Sequence, residues 1–208
     1  MFGIHDLWLF VLAGLLLNIT PGPDMALVMA RSMRDGVKAG AVAALGIGAG
    51  AFVHIAAAAV GLSLIIAQSA LAFAVVKWLG VAYLVVTGLR LLLSRPEPVD
   101  AASVAEPASL GAVFAQGFLT NALNPKVALF FLAFLPQFID PAVADKGLAF
   151  VVLGLVFNVN GTLINLAVAL AAARLAALPS FAVVRGRLDK VIGALFVGLA
   201  ARLAFTQP

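Results

Sequence analysis

The sequence predicts an all-α integral membrane protein with six transmembrane helices, arranged as an inverted 3+3 repeat in which helices 1 and 4 are broken. Of the 208 residues, 64% are hydrophobic and 11% are charged, and the mean hydropathy is +1.15. Soluble domains carry about 25% charged residues. A spanning helix needs about 20 apolar residues, so the length fits six spans with short loops. Two polar interruptions that contain proline predict the two broken helices.

The first half of the chain, residues 1–93, holds three apolar stretches. The first covers residues 7–30 and is interrupted by the motif Asn18-Ile19-Thr20-Pro21-Gly22-Pro23-Asp24. Proline lacks a backbone N–H and clashes with the preceding turn, so a helix cannot run straight through this motif. A carboxylate at membrane depth is a functional-site hypothesis by default. The alternative is a helix that ends at the motif, followed by a plain surface turn. Residues 39–67 and 70–93 form the second and third stretches.

The second half, residues 111–208, also holds three apolar stretches. The fourth covers residues 111–136 and is interrupted at residues 121–126. The fifth covers residues 147–173. The last apolar run, residues 191–205, is short, so it spans a membrane only if its helix begins further upstream.

Charge placement predicts how the chain is oriented. A polar segment with three prolines, residues 94–110, links the two halves. Nine of the 13 Lys and Arg residues lie in loops on the side of this linker, three lie on the other side, and Lys126 lies within a span. Positively charged loops stay in the cytoplasm. We therefore expect a cytoplasmic linker and both termini outside.

The two halves resemble each other in sequence. Gly14-x-x-x-Asn18 matches Gly117-x-x-x-Asn121, and Pro23-Asp24 matches Pro125-Lys126. With three spans each, the halves must sit in opposite orientations, which is the inverted-repeat plan of secondary transporters. Paired breaks in corresponding helices indicate a binding site near the middle of the membrane. The alternative is a coincidence of an apolar, glycine-rich composition.

The paired breaks predict the chemistry of the substrate. Helices that restart after a break offer free N–H groups to a carboxylate, and freed carbonyls suit an ammonium group, so a zwitterion such as an amino acid would fit. Asp24 would bind the ammonium or take up a proton, and Lys126 would bind the carboxylate or neutralise Asp24. The predicted substrate-binding residues are Asn18, Thr20, Pro21, Gly22, Pro23, Asp24, Asn121, Asn124, Pro125 and Lys126.

Two further helices carry polar candidates. Asn158, Thr162 and Asn165 share one face of the fifth helix, where they would form a polar lining or, by a slight preference, hold helices together. Histidine is the side chain whose charge ordinarily changes near neutral pH, which makes His54 a second candidate for proton coupling beside Asp24. The alternative for His54, which is favoured, is a hydrogen-bonded packing residue.

The motif at residues 18–24, preceded by Gly14, resembles the signature of the LysE/RhtB family of amino-acid exporters. Asn121-Ala122-Leu123-Asn124-Pro125-Lys126, followed by Phe130-Phe131 and Pro136-Gln137-Phe138, resembles the second-half pattern of that family. The resemblance covers essentially the whole chain. It implies a bacterial inner-membrane exporter of an amino acid or a close derivative, driven by the proton-motive force. The substrate differs among members, and nothing in the sequence fixes it.

Other classes fit the sequence less well. A divalent metal-ion exporter of a related branch remains the alternative, although a single intramembrane carboxylate beside a lysine supplies little oxygen charge for such an ion. The spans lack a nucleophile–base set, so no enzyme is predicted. With no cysteine and only two histidines, no cofactor and no resident metal site are predicted. The predicted partners are a zwitterionic substrate, protons and the lipid bilayer, with no nucleic acid, because the basic residues are dispersed. The sequence leaves open whether the chain forms a homodimer.

Overall fold

The computed structural model describes residues 3–62, 70–93, 109–140, 142–143 and 145–176, with separate positions between 190 and 204. A π-helical turn, Ala58–Leu62, follows the third helix, and a 3-10 turn, Leu135–Phe138, follows the sixth. The only extended pairing in this described part is one bridge between Ile4 and Ile139. The α-helices of the same part are α1 (Leu7–Ile19), α2 (Pro23–Asp35), α3 (Val37–Ala57), α4 (Ala70–Leu93), α5 (Leu110–Ala122), α6 (Pro125–Ala133) and α7 (Lys146–Ala176).

The helix lengths agree with a membrane protein. Val37–Gly61 and Lys146–Ala172 are each long and apolar enough to cross a membrane, and the described residues provide four spans if each bent helix pair counts as one. The third predicted stretch forms α4, of 24 residues. Residues 94–108 of the linker and most of the sixth predicted helix lie outside the described residues. The all-helical class is confirmed, whereas the inverted six-helix repeat stays a prediction.

Both predicted helix breaks are present. The axes of α1 and α2 differ by 51°, and the pair formed by α5 and the segment Pro125–Phe138 is bent by 45°. A proline occupies the first turn after each break, where its missing N–H costs nothing because that N–H has no helical acceptor. The backbone between α1 and α2 is extended at Thr20 and Gly22. Local proline chemistry therefore produces both bends.

The breaks divide the apolar core into two clusters. Helices α1 and α6, with the first part of α7, contribute to an aromatic cluster that contains Phe10, Phe130, Phe131, Phe134, Phe138 and Phe157. Helices α2, α3 and α5 contribute to a second cluster, which contains Leu27, Val28, Ala43, Ala44, Ile47, Val113 and Ala169. Because each break joins a helix of one cluster to a helix of the other, the polar motifs lie at the boundary between the two clusters.

Helices α3 and α5 cross with their backbones in contact. A Cβ atom added at Gly50 of α3 would lie 2.5 Å from the carbonyl oxygen of Phe118 in α5, and one added at Gly117 of α5 would meet the carbonyl of Ala43 in α3. Small residues allow this close approach between membrane helices. The crossing places His54, further along α3, beside the end of α5.

Arg31 departs from the prediction that it lies in a cytoplasmic loop. Helix α2 continues to Asp35, so Arg31 is helical and only 2% exposed. Its Nη1 pairs with Oδ2 of Asp35 at 2.8 Å, and its Nη2 donates to Oε1 of Gln116 in α5 at 2.8 Å. Helix α2 extends past the apolar run because the carboxylate of Asp35, one turn later in the helix, neutralises the buried guanidinium of Arg31. The charge count behind the predicted orientation therefore included one buried, paired arginine.

Candidate functional site

Asp24, in the first turn of α2, is held by the other break. Its Oδ2 accepts hydrogen bonds from Nδ2 of Asn121, at 2.8 Å, and from Nδ2 of Asn124, at 3.1 Å. Its Oδ1 is buried and has no hydrogen-bond partner in the described part of the chain. The carboxyl group of the first break therefore depends on two side-chain amides of the second.

Lys126, in the first turn of α6, makes the reciprocal contact. Its Nζ donates to the carbonyl oxygen of Thr20 at 2.8 Å, and that carbonyl lies in the break between α1 and α2. The ammonium also lies beside Gly22, since a Cβ atom at that position would be 3.5 Å from Nζ. Each break thus contributes one ionisable side chain that contacts a neutral partner in the other break.

Asp24 and Lys126 are near each other but do not form an ion pair. Within the described residues, the ion pairs shorter than 4.0 Å join His5 to Asp6 and Asp35 to two arginines. Asp24 and Lys126 instead line one cavity of about 20 Å³, which is close to the space that a single water molecule needs. A carboxyl group and an ammonium group therefore share one small polar space.

The cavity lining separates the predicted site residues into two sets. Pro21, Pro23, Asn121 and Pro125 shape or support the breaks but are not among the residues that line the cavity. The apolar part of the lining could not be predicted, because nothing in the sequence distinguishes those residues from other apolar positions in the spans. The predicted lining residues are Asn18, Thr20, Gly22, Asp24, Asn124, Lys126 and Asn165, and the missed ones are Leu17, Met25, Val127 and Phe157.

The two helix starts differ in what they offer an anion. At α6, Oδ1 of Asn124 accepts a hydrogen bond from the backbone N–H of Lys126 at 3.0 Å. The expectation of free N–H groups at this start is thus wrong for Lys126, because the preceding asparagine caps it. At α2, Gly22 precedes the helix and, in the described part of the chain, no side chain caps it. An uncapped helix start carries partial positive charge, and here the ammonium of Lys126 lies beside it.

Asn18 and Thr20 play different local roles. The hydroxyl of Thr20, directly after α1, donates to the carbonyl of Leu16 in the last turn of that helix at 2.6 Å. Nδ2 of Asn18 donates to the carbonyl of Phe157 in α7 at 3.4 Å. In this state the backbone of Thr20, rather than its side chain, therefore serves the site.

The polar face of α7 is divided between packing and the cavity. Nδ2 of Asn158 donates to the carbonyl of Gly48 in α3 at 3.1 Å, and the hydroxyl of Thr162 donates to Oδ1 of Asn158 at 3.3 Å. The first contact joins α7 to α3, as expected for a residue that holds helices together, and the second lies within α7. Asn165 differs, because it lines the cavity.

His54 supports the second break without reaching the cavity. Its Nε2 lies 2.8 Å from the backbone carbonyl oxygen of Asn121, and its ring packs 5.9 Å from the ring of Phe131. A carbonyl oxygen only accepts hydrogen bonds, so Nε2 of His54 carries a proton. His54 is connected to Asp24 through Asn121, which makes it a positioning residue for the break.

The described residues give no support to a metal site. They contain no group of three or more His, Asp or Glu side chains that could hold a metal ion. Divalent cations such as Ca²⁺ take six to eight oxygen ligands, and Asp24 brings a single carboxylate to the cavity.

The chain resembles known proteins over nearly its full length. A family model described as a LysE type translocator matches residues 15–207. An uncharacterized membrane protein of Pseudomonas aeruginosa is 34% identical in an alignment of 212 positions, gaps included, that covers 97% of this chain and 96% of that protein. A leucine efflux protein of Salmonella typhimurium is 29% identical, and the match covers 99% of this chain and 98% of that protein. No solved structure matches the chain.

Proposed function

The chain belongs to the LysE type translocator family, and from this premise we propose that it is a secondary transporter of the bacterial inner membrane that exports an amino acid or a close derivative. The resemblance seen in the two motifs is thereby confirmed at the level of the family. Relatives named as leucine efflux proteins, at 29% identity, support the amino-acid class.

One observation carries the proposal: a carboxyl group and an ammonium group, one from each break, line the same cavity. The ammonium of a zwitterionic substrate would bind Asp24. Its carboxylate would bind Lys126 and the uncapped start of α2, where both the lysine charge and the helix dipole favour an anion. The apolar lining, which includes Leu17 and Phe157, suits an apolar substrate side chain.

Substrate binding requires the two breaks to separate. A cavity of about 20 Å³ holds no amino acid, since it is the size of one water molecule. In the closed site, side-chain amides donate to Asp24 and a backbone carbonyl accepts from Lys126. The ammonium of a zwitterion would likewise donate to Asp24, and its carboxylate would likewise accept from Lys126. A bound amino acid would replace both sets of contacts with its ammonium and carboxylate groups. Such an exchange gives the open and closed states the comparable free energies that a transport cycle needs.

The transporter would have an inverted-repeat architecture and would use the proton-motive force. Two halves, residues 1–93 and 111–208, would form the inverted repeat, which the two similar bends and the reciprocal contacts support. The proton-motive force would drive export through Asp24.

Efflux from proteoliposomes tests the proposal. Vesicles loaded with a panel of amino acids are expected to release one class faster when a proton gradient is imposed. Asp24→Asn, which keeps the size of the side chain, should abolish the response to the gradient, whereas Asp145→Asn should not, because Asp145 is exposed and its replacement can still cap Leu148. Export by Asp24→Asn at the rate of the unmodified protein would reject the site. Efflux of a divalent cation without efflux of any amino acid would favour the metal-ion alternative.

A second variant tests the role given to Lys126. Lys126→Met should slow the export of α-amino acids by a larger factor than the export of matched amines that lack a carboxylate. Lys38→Met, at an exposed position, is the control. An equal loss for both substrate classes would mean that Lys126 supports the break and does not recognise the carboxylate.

A further inference from the structure

Two buried oxygen atoms at the site have no hydrogen-bond donor among the residues that the structure describes. They are Oδ1 of Asp24 and Oδ1 of Asn121. Nδ2 of Asn121 donates to Oδ2 of Asp24 at 2.8 Å. The two oxygens without a donor are the other terminal atoms of the same amide and the same carboxyl group. A buried polar atom without a partner costs about 1–3 kcal/mol, so two orphan acceptors on one contacting pair require a physical reason.

Nearby donors are already used elsewhere. The ammonium of Lys126, on α6, donates to the carbonyl of Thr20. The Nε2–H of His54, on α3, donates to the backbone carbonyl of Asn121. The amide of Asn124 donates to the other oxygen of Asp24. His54 and Lys126 are the titratable groups that act on Asp24, and neither they nor Asn124 donates to either of the two oxygens.

We propose that Asp24 and Asn121 form a proton-binding pair, in which the Asp24 carboxyl group holds a proton on Oδ1 and donates it to Oδ1 of Asn121. The amide of Asn121 donates in return to Oδ2, so the two side chains form the cyclic pair that a carboxylic acid makes with a primary amide. One proton then satisfies both orphan atoms. The inference rests on the proposed role of Asp24 and adds to it the second partner and the protonation state of the closed site.

The pair couples the proton to the closed state of the site. When the proton leaves Oδ1, two acceptor oxygens are left without a donor between them, and the contact between α2 and α5 loses one of its hydrogen bonds. The same carboxylate is then free to accept the ammonium group of a substrate. Proton and ammonium compete for one carboxyl group, so each substrate released is replaced by a proton taken up. This is proton–substrate exchange, in which an inward proton gradient drives outward transport.

Infrared difference spectroscopy tests the pair on the full-length protein in liposomes, near neutral pH and in potassium buffer. When the spectrum of Asp24→Asn is subtracted from that of the unmodified protein, the difference should contain the carbonyl band of a protonated carboxylic acid. This band should shift in deuterium oxide. Asp145→Asn should leave this band in place. Asn121→Ala should move the band to higher frequency, because the proton loses its acceptor. The Asn121 variant serves on its own if Asp24→Asn does not fold.

Three results would overturn the proposal. The first is a difference spectrum that contains carboxylate bands alone. The second is an acid band that Asn121→Ala leaves unmoved. The third is a carboxylate band that shifts when sodium replaces potassium, which would assign the orphan oxygens to a cation. The spectra can be recorded without any transport, so the two proposals can fail separately. An acid band without amino-acid efflux would reject only the proposed substrate class. Amino-acid efflux without an acid band would reject only the proton-binding pair.

Discussion

At the scale of single residues, His54 had two roles that the sequence could not distinguish, a proton carrier and a hydrogen-bonded packing residue. Its ring donates to the backbone of Asn121 rather than to a carboxylate. His54→Gln keeps an N–H donor, so we expect export close to that of the unmodified protein, with the same dependence on pH. His54→Leu loses the hydrogen bond, worth about 1 kcal/mol, and should slow export by about fivefold.

Export rates measured across a pH series check both variants. If His54 relayed protons, His54→Gln would lose export and its dependence on pH, because an amide cannot carry a proton through the cycle. Loss of the response to the gradient in His54→Gln would therefore contradict the positioning role.

Arg31 supplies a prediction on stability. Arg31→Met would leave the carboxylate of Asp35 and Oε1 of Gln116 without their principal donor, and removal of one partner from a buried ion pair costs about 3–5 kcal/mol. The thermal unfolding midpoint of the purified protein should fall clearly, while Lys38→Met should leave it unchanged. Arg31→Met combined with Asp35→Leu should recover part of the loss. A single variant as stable as the control would show that the buried pair adds nothing.

At the scale of helices, the sequence predicts the breaks well because proline acts locally. Neither proline-containing motif allows a continuous helix, and both bends occur where the motifs lie. The partners of the charged residues could not be predicted in this way. Asp24 binds two amides and Lys126 binds a carbonyl, and these choices depend on how α2 meets α5 and α6. The cap that Asn124 places on α6 is a local feature, and an asparagine directly before Pro125 was the available signal for it.

The glycine crossing of α3 and α5 gives a prediction on assembly. Alanine normally favours a helix over glycine by about 1 kcal/mol. At Gly117, however, the added methyl group would meet the backbone of Ala43, so Gly117→Ala should lower the yield of folded protein and its unfolding midpoint. Gly111→Ala, where the nearest atom is the hydroxyl of Ser109 at 3.9 Å, is the matched control. Equal midpoints for the two variants would mean that the helices can separate at little cost.

At the scale of the whole molecule, the orientation in the membrane is open to direct measurement. The chain has no cysteine, so single cysteines can report the side on which each loop lies. A cysteine in place of Ala101, in the linker outside the described residues, should react with an impermeant reagent only after the membrane is opened. A cysteine in place of Ala142, which is exposed in the loop before α7, should react in intact cells. The reverse pattern would overturn the orientation predicted from charge.

The reciprocal contacts between the breaks also set the order in which the protein matures. The ribosome makes Asp24 97 to 102 residues before Asn121, Asn124 and Lys126. The first three helices therefore enter the bilayer with the carboxyl group of Asp24 and the carbonyl of Thr20 still without the partners that they have in the finished protein. The site can be completed only once residues 121–126 have been made and inserted, so its assembly is a late step in the synthesis of the chain. A nascent chain arrested in the linker would carry an exposed intramembrane acid and should be an early target for membrane quality-control proteases.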